Sequence, residues 1–227
     1  QSMRETNPTC MSAGPRFWEK VYTGVNEKIE KAGSLQKRIF KNALAVGRKY
    51  NIEYLSHGKR PPLPLRLKYD VINKILFAKV RKELGLIHPN IFPTAGAAIS
   101  NHVEEFVHSI GINMISGYGL TESLATVSCN HLDKPYSVGS VGYVIDGLDV
   151  KISEDGEVLL KGPTIFKGYY NREDITAASF TPDGYFKTGD AGYMKKGELF
   201  LTERIKDLFK TSNGKYIAPQ MIETRLM

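Results

Sequence analysis

The stretch ISGYGLTESLA, residues 115–125, ends an apolar run with Gly-Tyr-Gly and then sets a hydroxyl beside a carboxylate at Thr121 and Glu122. A chain that needed only to reverse direction would manage with Asn-Gly or Asp-Gly. Just upstream, NIFPTAG (90–96) reads as a short buried strand entering a small-residue turn. Ser100 and Asn101 can cap a helix, with Glu104 three residues after Asn101 as in a capping box. Val103, Phe106, Val107 and Ile110 form its apolar stripe, and INMIS (112–116) is the next strand. This strand–helix–strand unit is most simply parallel, with a right-handed crossover. In open parallel sheets, ligands bind at the C-terminal ends of the strands. TAGAA (94–98) and SGYGLTE (116–122) are the turns at those ends.

Two readings fit the second turn. Gly117 and Gly119 remove side chains, so a ligand can approach the backbone. Tyr118 between them can offer a ring face to a planar base, Thr121 a hydroxyl to a phosphate oxygen, and Glu122 a hard oxygen to Mg²⁺. Alternatively the turn is purely structural, with Tyr118 in the core and Glu122 in solvent. Farther on, YFKTGDAG (185–192) projects Asp190, whose two oxygens can accept both hydroxyls of a ribose. Arg204, fourteen residues later in ERIKDLF, can reach the same sugar or the α-phosphate with its rigid fork of donors.

Outward from these motifs the chain changes character. Before them it is helical: Trp18, Val21, Val25 and Ile29 share one face after Pro15, and Ser34 is an N-cap for a helix through Leu35, Ile39, Ala43 and Val46. GKRPPLPLR (58–66) reads as a loop, because its three prolines oppose helix and ladder alike. A further helix turns Ile72, Ile75, Leu76, Val80 and Leu84 inward. After about residue 135 strands dominate, with VKIS and EVLLKG flanking the hairpin signal Glu154-Asp155-Gly156, and turns at Asp183-Gly184 and Lys196-Gly197. The expected class is α/β, a parallel-sheet part followed by a β-rich part.

Composition sets outer bounds. The chain has 227 residues, 41% apolar and 24% charged, as in ordinary globular proteins. No apolar run approaches a membrane span, and the N-terminus lacks a secretory pattern, so the cytoplasm is the expected location. Cys10 and Cys129 fit free thiols in a reducing compartment. Residues 1–85 carry 18 Lys/Arg against 7 Asp/Glu, and the remainder 13 against 17. Within 59–82, eight basic residues face only Asp70. This is either a solvated helix face or a surface for anionic lipid or polyphosphate, and no nucleic-acid motif accompanies it. The five histidines lack metal spacing, with His102 and His108 expected on a helix surface. No Gly-x-Ser-x-Gly elbow or third glycine for a dinucleotide fingerprint is present. Nothing in the sequence specifies an oligomeric state.

Together, GYGLTE, YFKTGD and ERIKDLFKTSNGKYIAP resemble, in order and spacing, the core motifs of the AMP-forming adenylate-forming enzymes. TAGAAIS lies where that family keeps an adenine-pocket loop, and GEVLLKGPTIFKGYYN (156–171) is similar to its Gly-rich strand pair. PRFWEKVY (15–22), the basic helical region and FKTSNGKYIAPQMIE resemble the long-chain fatty acyl-CoA synthetase branch. The resemblance implies ATP-dependent activation of a fatty acid to acyl-AMP, then thioester formation with coenzyme A. It implies that Tyr118, flanked by Gly117 and Gly119, lies along the adenine of ATP or AMP, with Gly96 and Ala97 opposite. Thr121 would touch the α-phosphate, Glu122 would bind Mg²⁺, and Asp190 would hold the ribose with Arg204 nearby. Lys206 matches the hinge, Lys210 a lysine linked to the thioester-forming state, and Gly214 a loop at the pantetheine tunnel. The implied domains are 1–135 (α/β part of the large domain), 136–202 (its β-rich subdomain) and 203–227 (hinge and start of a small C-terminal domain).

Two of the family's elements have no counterpart here: the Ser/Thr/Gly phosphate loop ending in Pro-Lys, and the C-terminal catalytic lysine. An internal piece of a longer ligase, unable alone to complete either half-reaction, is therefore expected. Ala95 and Glu203 are milder departures, at positions where glycine, and glycine or aspartate, are usual. The rival readings are another acid ligase of the superfamily, for an aryl, medium-chain or amino acid, and a non-catalytic nucleotide-binding module.

Overall fold

A computed structural model of the chain describes residues 3–88, 91–205, 209–210 and 216–217. The chain divides into two compact units, one of residues 1–116 with 130–139 and one of residues 117–129 with 140–227.

The first unit is mainly helical. It holds α1 (Met3–Thr6), α2 (Pro15–Glu30), α3 (Ser34–Arg48), α4 (Leu63–Ile72), α5 (Ala78–Leu84) and α6 (Asn101–Ser109). Pro15 occupies the first turn of α2, where a missing N–H costs nothing. Trp18 is fully buried and meets the edge of Phe92 at 5.9 Å. β1 (Phe92–Thr94) pairs in parallel with the start of β2 (Met114–Tyr118), with Phe92 beside Met114 and Thr94 beside Ser116. The strand–helix–strand unit read from the sequence is thus present. Its helix buries Val103, Phe106 and Val107, and Ile110 just beyond its end is buried too. Helix α3 lies close to α6 because position 47 is glycine: a Cβ there would stand 2.1 Å from the Ser109 carbonyl oxygen.

Several local expectations are corrected. Pro64 does not exclude helix; it sits in the first turn of α4, where proline is tolerated. Helix α3 buries Phe40, Ala43, Val46 and Gly47, while Leu35 and Ile39 point outward. Phe40, one residue from Ile39, takes the inward place because its ring removes more apolar surface from water. A π-helical turn at Asn73–Phe77 shifts the helical phase, so Phe77 is buried and Ile75 exposed. Glu104 makes no capping box. Its side chain is fully buried, accepting from the Gly139 N–H at 2.8 Å and the Ser116 hydroxyl at 3.3 Å. His108 is not a surface residue either: it is buried, its Nδ1 3.2 Å from the Tyr136 hydroxyl. Arg81, counted among the basic face, is buried too. It donates to Asn73 Oδ1 and to the carbonyl of Ile110 just beyond α6, and burial lowers its pKa.

The second unit is antiparallel. The end of β2 lies beside β3 (Ser128–Cys129), followed in space by β4 (Tyr143–Val144), β8 (Glu198–Arg204), β7 (Phe186–Lys195), β6 (Glu157–Lys161) and β5 (Asp149–Ile152). The hairpin at 154–156 and the turn at Lys196-Gly197 form as expected. Helix α7 (Glu173–Ala178) stands between β6 and β7 in sequence, and β9 (Phe209–Lys210) pairs with β10 (Tyr216–Ile217). Val127, Val158, Leu160, Phe186 and Leu199 form the core with Tyr118. Among the described residues no helix is long and apolar enough to cross a membrane. Cys10 and Cys129 are thiols, not a disulfide.

Candidate nucleotide site

Strands β7 and β8 place Asp190 opposite Arg204, and a register shift follows between Asp190 and Gly192. Such bulges re-aim side chains. The segment Thr188-Gly189-Asp190 is fixed around the bulge. Thr188 Oγ1 donates to the Val158 carbonyl at 2.7 Å and accepts from the Asp190 N–H at 3.0 Å. Gly189 adopts φ +71°, a left-handed conformation that suits glycine, and its N–H donates to Glu157 Oε1 at 2.8 Å.

This scaffold holds the Asp190 carboxylate between two donors. The Tyr118 hydroxyl donates to Oδ2 at 2.6 Å across 72 positions of sequence, and Arg204 Nε lies 3.1 Å from Oδ1. Asp190 is largely buried, whereas the Arg204 side chain is about half exposed. Each carboxylate oxygen has two lone pairs, so Asp190 retains acceptor capacity on both oxygens. The Tyr118 ring packs in the unit's core with 8% of its surface exposed. Burial, then the Asp190 charge and hydrogen bond, push its phenol pKa far above the ordinary range. The hydroxyl is therefore a fixed donor.

The loop after β2 carries the other two groups. Gly119 is required by the chain's own packing, since a Cβ there would stand 1.3 Å from the Ala125 carbonyl oxygen. Thr121 lies exposed in the 3₁₀ turn Thr121–Ser123. Glu122 is half buried; its backbone carbonyl accepts from the Phe166 N–H at 2.8 Å and its Oε1 from the Tyr169 hydroxyl at 2.9 Å. Leu124 and Ala125 close the loop at φ +52° and +83°, a region that costs L-residues roughly 1–2 kcal/mol each. Gly96 and Ala97 follow β1 in the first unit, both exposed, with Gly96 at φ +90°. Lys206 and Gly214 lie outside the described residues, as does the side chain of Lys210.

The structure thus joins Tyr118, Asp190 and Arg204 directly and sets Thr121 and Glu122 on the adjoining turn. Sequence reasoning missed Tyr169, Thr188 and Glu157, which orient this set. Only the last two had a signal, as polar residues of otherwise inward-facing strands.

Comparison with known proteins gives these motifs a context. Residues 1–170 match the AMP-binding enzyme family. The chain is 32% identical over 238 residues to long chain acyl-CoA synthetase 4 of Arabidopsis thaliana, covering 98% of this chain and 34% of that protein. It is 33% identical over 222 residues to the long-chain-fatty-acid–CoA ligase FadD15 of Mycobacterium bovis, covering 96% of this chain and 36% of the relative. The chain therefore spans about a third of the length of these curated relatives. In fold it is similar to the o-succinylbenzoate coenzyme A synthetase MenE of Bacillus subtilis in complex with ATP and magnesium. That likeness has a TM-score of 0.60 and 22% identity over 99% of this chain and 37% of the other. By motif, by fold and by descent, this chain belongs to the family of AMP-binding enzymes.

Proposed function

We propose that the chain supplies part of the nucleotide site of an ATP-dependent ligase that joins a long-chain fatty acid to coenzyme A. The observation that carries this reading is the convergence of Tyr118 and Arg204 on the Asp190 carboxylate. A largely buried carboxylate with spare lone pairs, held rigid by two donors, suits the two hydroxyls of a ribose. The Nη groups of half-exposed Arg204 are then available to a phosphate or to the same sugar. Tyr118 fixes Asp190 and lies along the base in this reading. Thr121, exposed on its turn, donates to the α-phosphate.

Magnesium fits Glu122 as one carboxylate that shares the ion with substrate phosphates, the usual protein contribution for this cation. Glu122 Oε1 is held by Tyr169, and Oε2 takes no hydrogen bond from the described residues. When bound, the ion offsets negative charge that gathers as the fatty carboxylate attacks the α-phosphate and pyrophosphate leaves. Thioester formation with coenzyme A would follow, with Lys206, Lys210 and Gly214 in the hinge and thiol-side roles. The acid is inferred from the relatives. A preference for short aromatic acids over palmitate in the protein that carries this chain would replace it with another acid ligase.

For the chain by itself, AMP and ATP binding followed by calorimetry is the direct test. Mg²⁺-dependent ATP binding supports the reading, and AMP binding indifferent to Mg²⁺ and to Glu122→Gln would favour a non-catalytic nucleotide module. Neither half-reaction is expected from these 227 residues alone. Pyrophosphate release from ATP and palmitate by the chain would overturn that expectation.

Helix α4 and its continuation prompt a second expected outcome. Leu63, Leu67, Val71 and Ile75 are all more than half exposed at fourfold spacing, and Lys59, Arg60, Arg66, Lys68, Lys74, Lys79 and Lys82 are exposed around them. An apolar stripe among cations suits an anionic lipid surface, each cation adding about 1 kcal/mol at low salt. Co-sedimentation with phosphatidylserine vesicles should exceed that with neutral ones and fall with salt. Equal binding to both would leave the cations as an ordinary solvated face.

A further inference from the structure

The carboxylate of Glu122 is held by a segment that sequence reasoning did not connect with it. Residues 166–169 form a hook. At one end Phe166 donates its N–H to the Glu122 carbonyl, and its ring packs among Phe180 and Phe186 at centroid distances of 6.1 and 5.3 Å. At the other, the Tyr169 N–H donates to Thr176 Oγ1 at 2.9 Å, and that hydroxyl donates to the Arg172 carbonyl at 2.8 Å. Gly168 between them leaves no room for a side chain, since a Cβ would meet Thr176 Cγ2 at 2.6 Å. The Phe166 and Tyr169 rings meet edge to face at 4.8 Å. With backbone and ring both fixed, the Tyr169 hydroxyl is aimed at Glu122 Oε1 at 2.9 Å.

We propose that Tyr169 is a positioning residue for the metal-binding carboxylate: its hydroxyl fixes Oε1 of Glu122 so that Oε2 is presented to a magnesium ion held with the nucleotide phosphates. The proposal rests on Glu122 being the magnesium ligand. The chemistry favours a phenol in this place. A lysine would orient the carboxylate equally well but would cancel the charge that attracts the cation. A neutral hydroxyl orients it and leaves that charge intact. An unrestrained glutamate loses rotamer freedom when it is fixed, and Tyr169 removes much of that loss before the metal arrives. Outer partners of metal ligands typically change affinity about 10–100-fold. Because Tyr169 is partly exposed, the lower end is expected. A phenol ordinarily ionises only at about pH 10, so the hydroxyl is a donor at neutral pH.

Tyr169→Phe keeps the ring against Phe166 and removes only the hydroxyl. In this variant the Mg²⁺ concentration that half-saturates ATP binding to the chain should rise about tenfold. AMP affinity without Mg²⁺ should stay within about twofold, since a phenol that serves only the metal leaves the ribose and base contacts alone. Glu122→Gln should remove the Mg²⁺ dependence, and adding Tyr169→Phe to it should change nothing further. If Glu122→Gln abolishes the Mg²⁺ dependence and Tyr169→Phe does not move it, Tyr169 only packs, and the proposal falls while the reading of Glu122 stands. If Glu122→Gln leaves the dependence intact, or wild-type ATP binding ignores Mg²⁺, both fall together.

Discussion

Alanine at position 119 is expected to lower the stability of the β-rich unit by about 3 kcal/mol or more, because it overpacks a site walled by backbone. The added Cβ would stand 1.3 Å from the Ala125 carbonyl oxygen and 2.4 Å from its carbon. No rotamer change relieves such a clash; residues 119–125 would have to open. They are poorly able to do so. The Ala125 N–H already donates to the Leu120 carbonyl at 3.0 Å, and Leu124 and Ala125 already sit at positive φ. For a chain of this size the loss corresponds to a melting point lower by about 6–12 °C. Gly117→Ala provides the contrast, since its Cβ would lie 3.3 Å from the Ser128 carbonyl oxygen, a contact that a few tenths of an ångström relieve. Thermal unfolding of the two variants side by side checks the argument. A Gly119→Ala protein that melts with wild type would show that the loop does not close on itself as described.

That pair of glycines also shows how far the sequence could be read. The Gly-Tyr-Gly motif was legible as a place where side chains must be absent. What excludes the side chain at position 119 was not, because the obstacle is the chain's own carbonyl six residues later. Alternation and turn chemistry located the hairpin at 154–156 and the parallel pair of β1 and β2, since both are local in sequence or bounded by strong breakers. Helix faces were less legible wherever two apolar residues adjoin. Ile39 beside Phe40, and Ile75 with Leu76 and Phe77, each offer more than one stripe, and the larger ring or a π turn decides between them. Polar residues misled for a related reason. Glu104 and Arg81 look like surface residues, but each satisfies backbone groups inside the helical unit, a need that exists only once the chain is folded. In the candidate site, the residues that would touch a nucleotide had recognisable motifs. The residue that orients one of them, Tyr169, lies in FKGYYN, where Tyr169 and the 91% exposed Tyr170 carry no mark to tell them apart.

The second large effect is expected at Asp190. Under the proposed role, Asp190→Ala removes the acceptor of both ribose hydroxyls. Hydrogen bonds to a charged group contribute about 1.5–3 kcal/mol each. AMP affinity should therefore fall about 100-fold or more, since every 1.4 kcal/mol is tenfold. The same substitution strips the buried Tyr118 hydroxyl of its acceptor, a desolvation cost of about 1–3 kcal/mol in folding. Calorimetry of AMP binding, with a parallel unfolding curve, separates the two losses. Adding Tyr118→Phe should recover part of the stability and none of the affinity, because it removes the orphaned hydroxyl without restoring the carboxylate. The Tyr118–Asp190 bond also carries a pH signature. Its phenol pKa is raised above the ordinary 10.0 in the folded chain, so the unfolded chain ionises first as pH rises. The stability from this group is complete below pH 10 and is lost above it, by about 1.4 kcal/mol per unit. Wild type should lose stability more steeply than Tyr118→Phe between about pH 10 and 11, a window set by the direction of that shift. Parallel alkaline profiles for the two proteins would mean that the buried Tyr118–Asp190 bond is not made in solution, and undiminished AMP binding by Asp190→Ala would mean that this carboxylate holds no nucleotide.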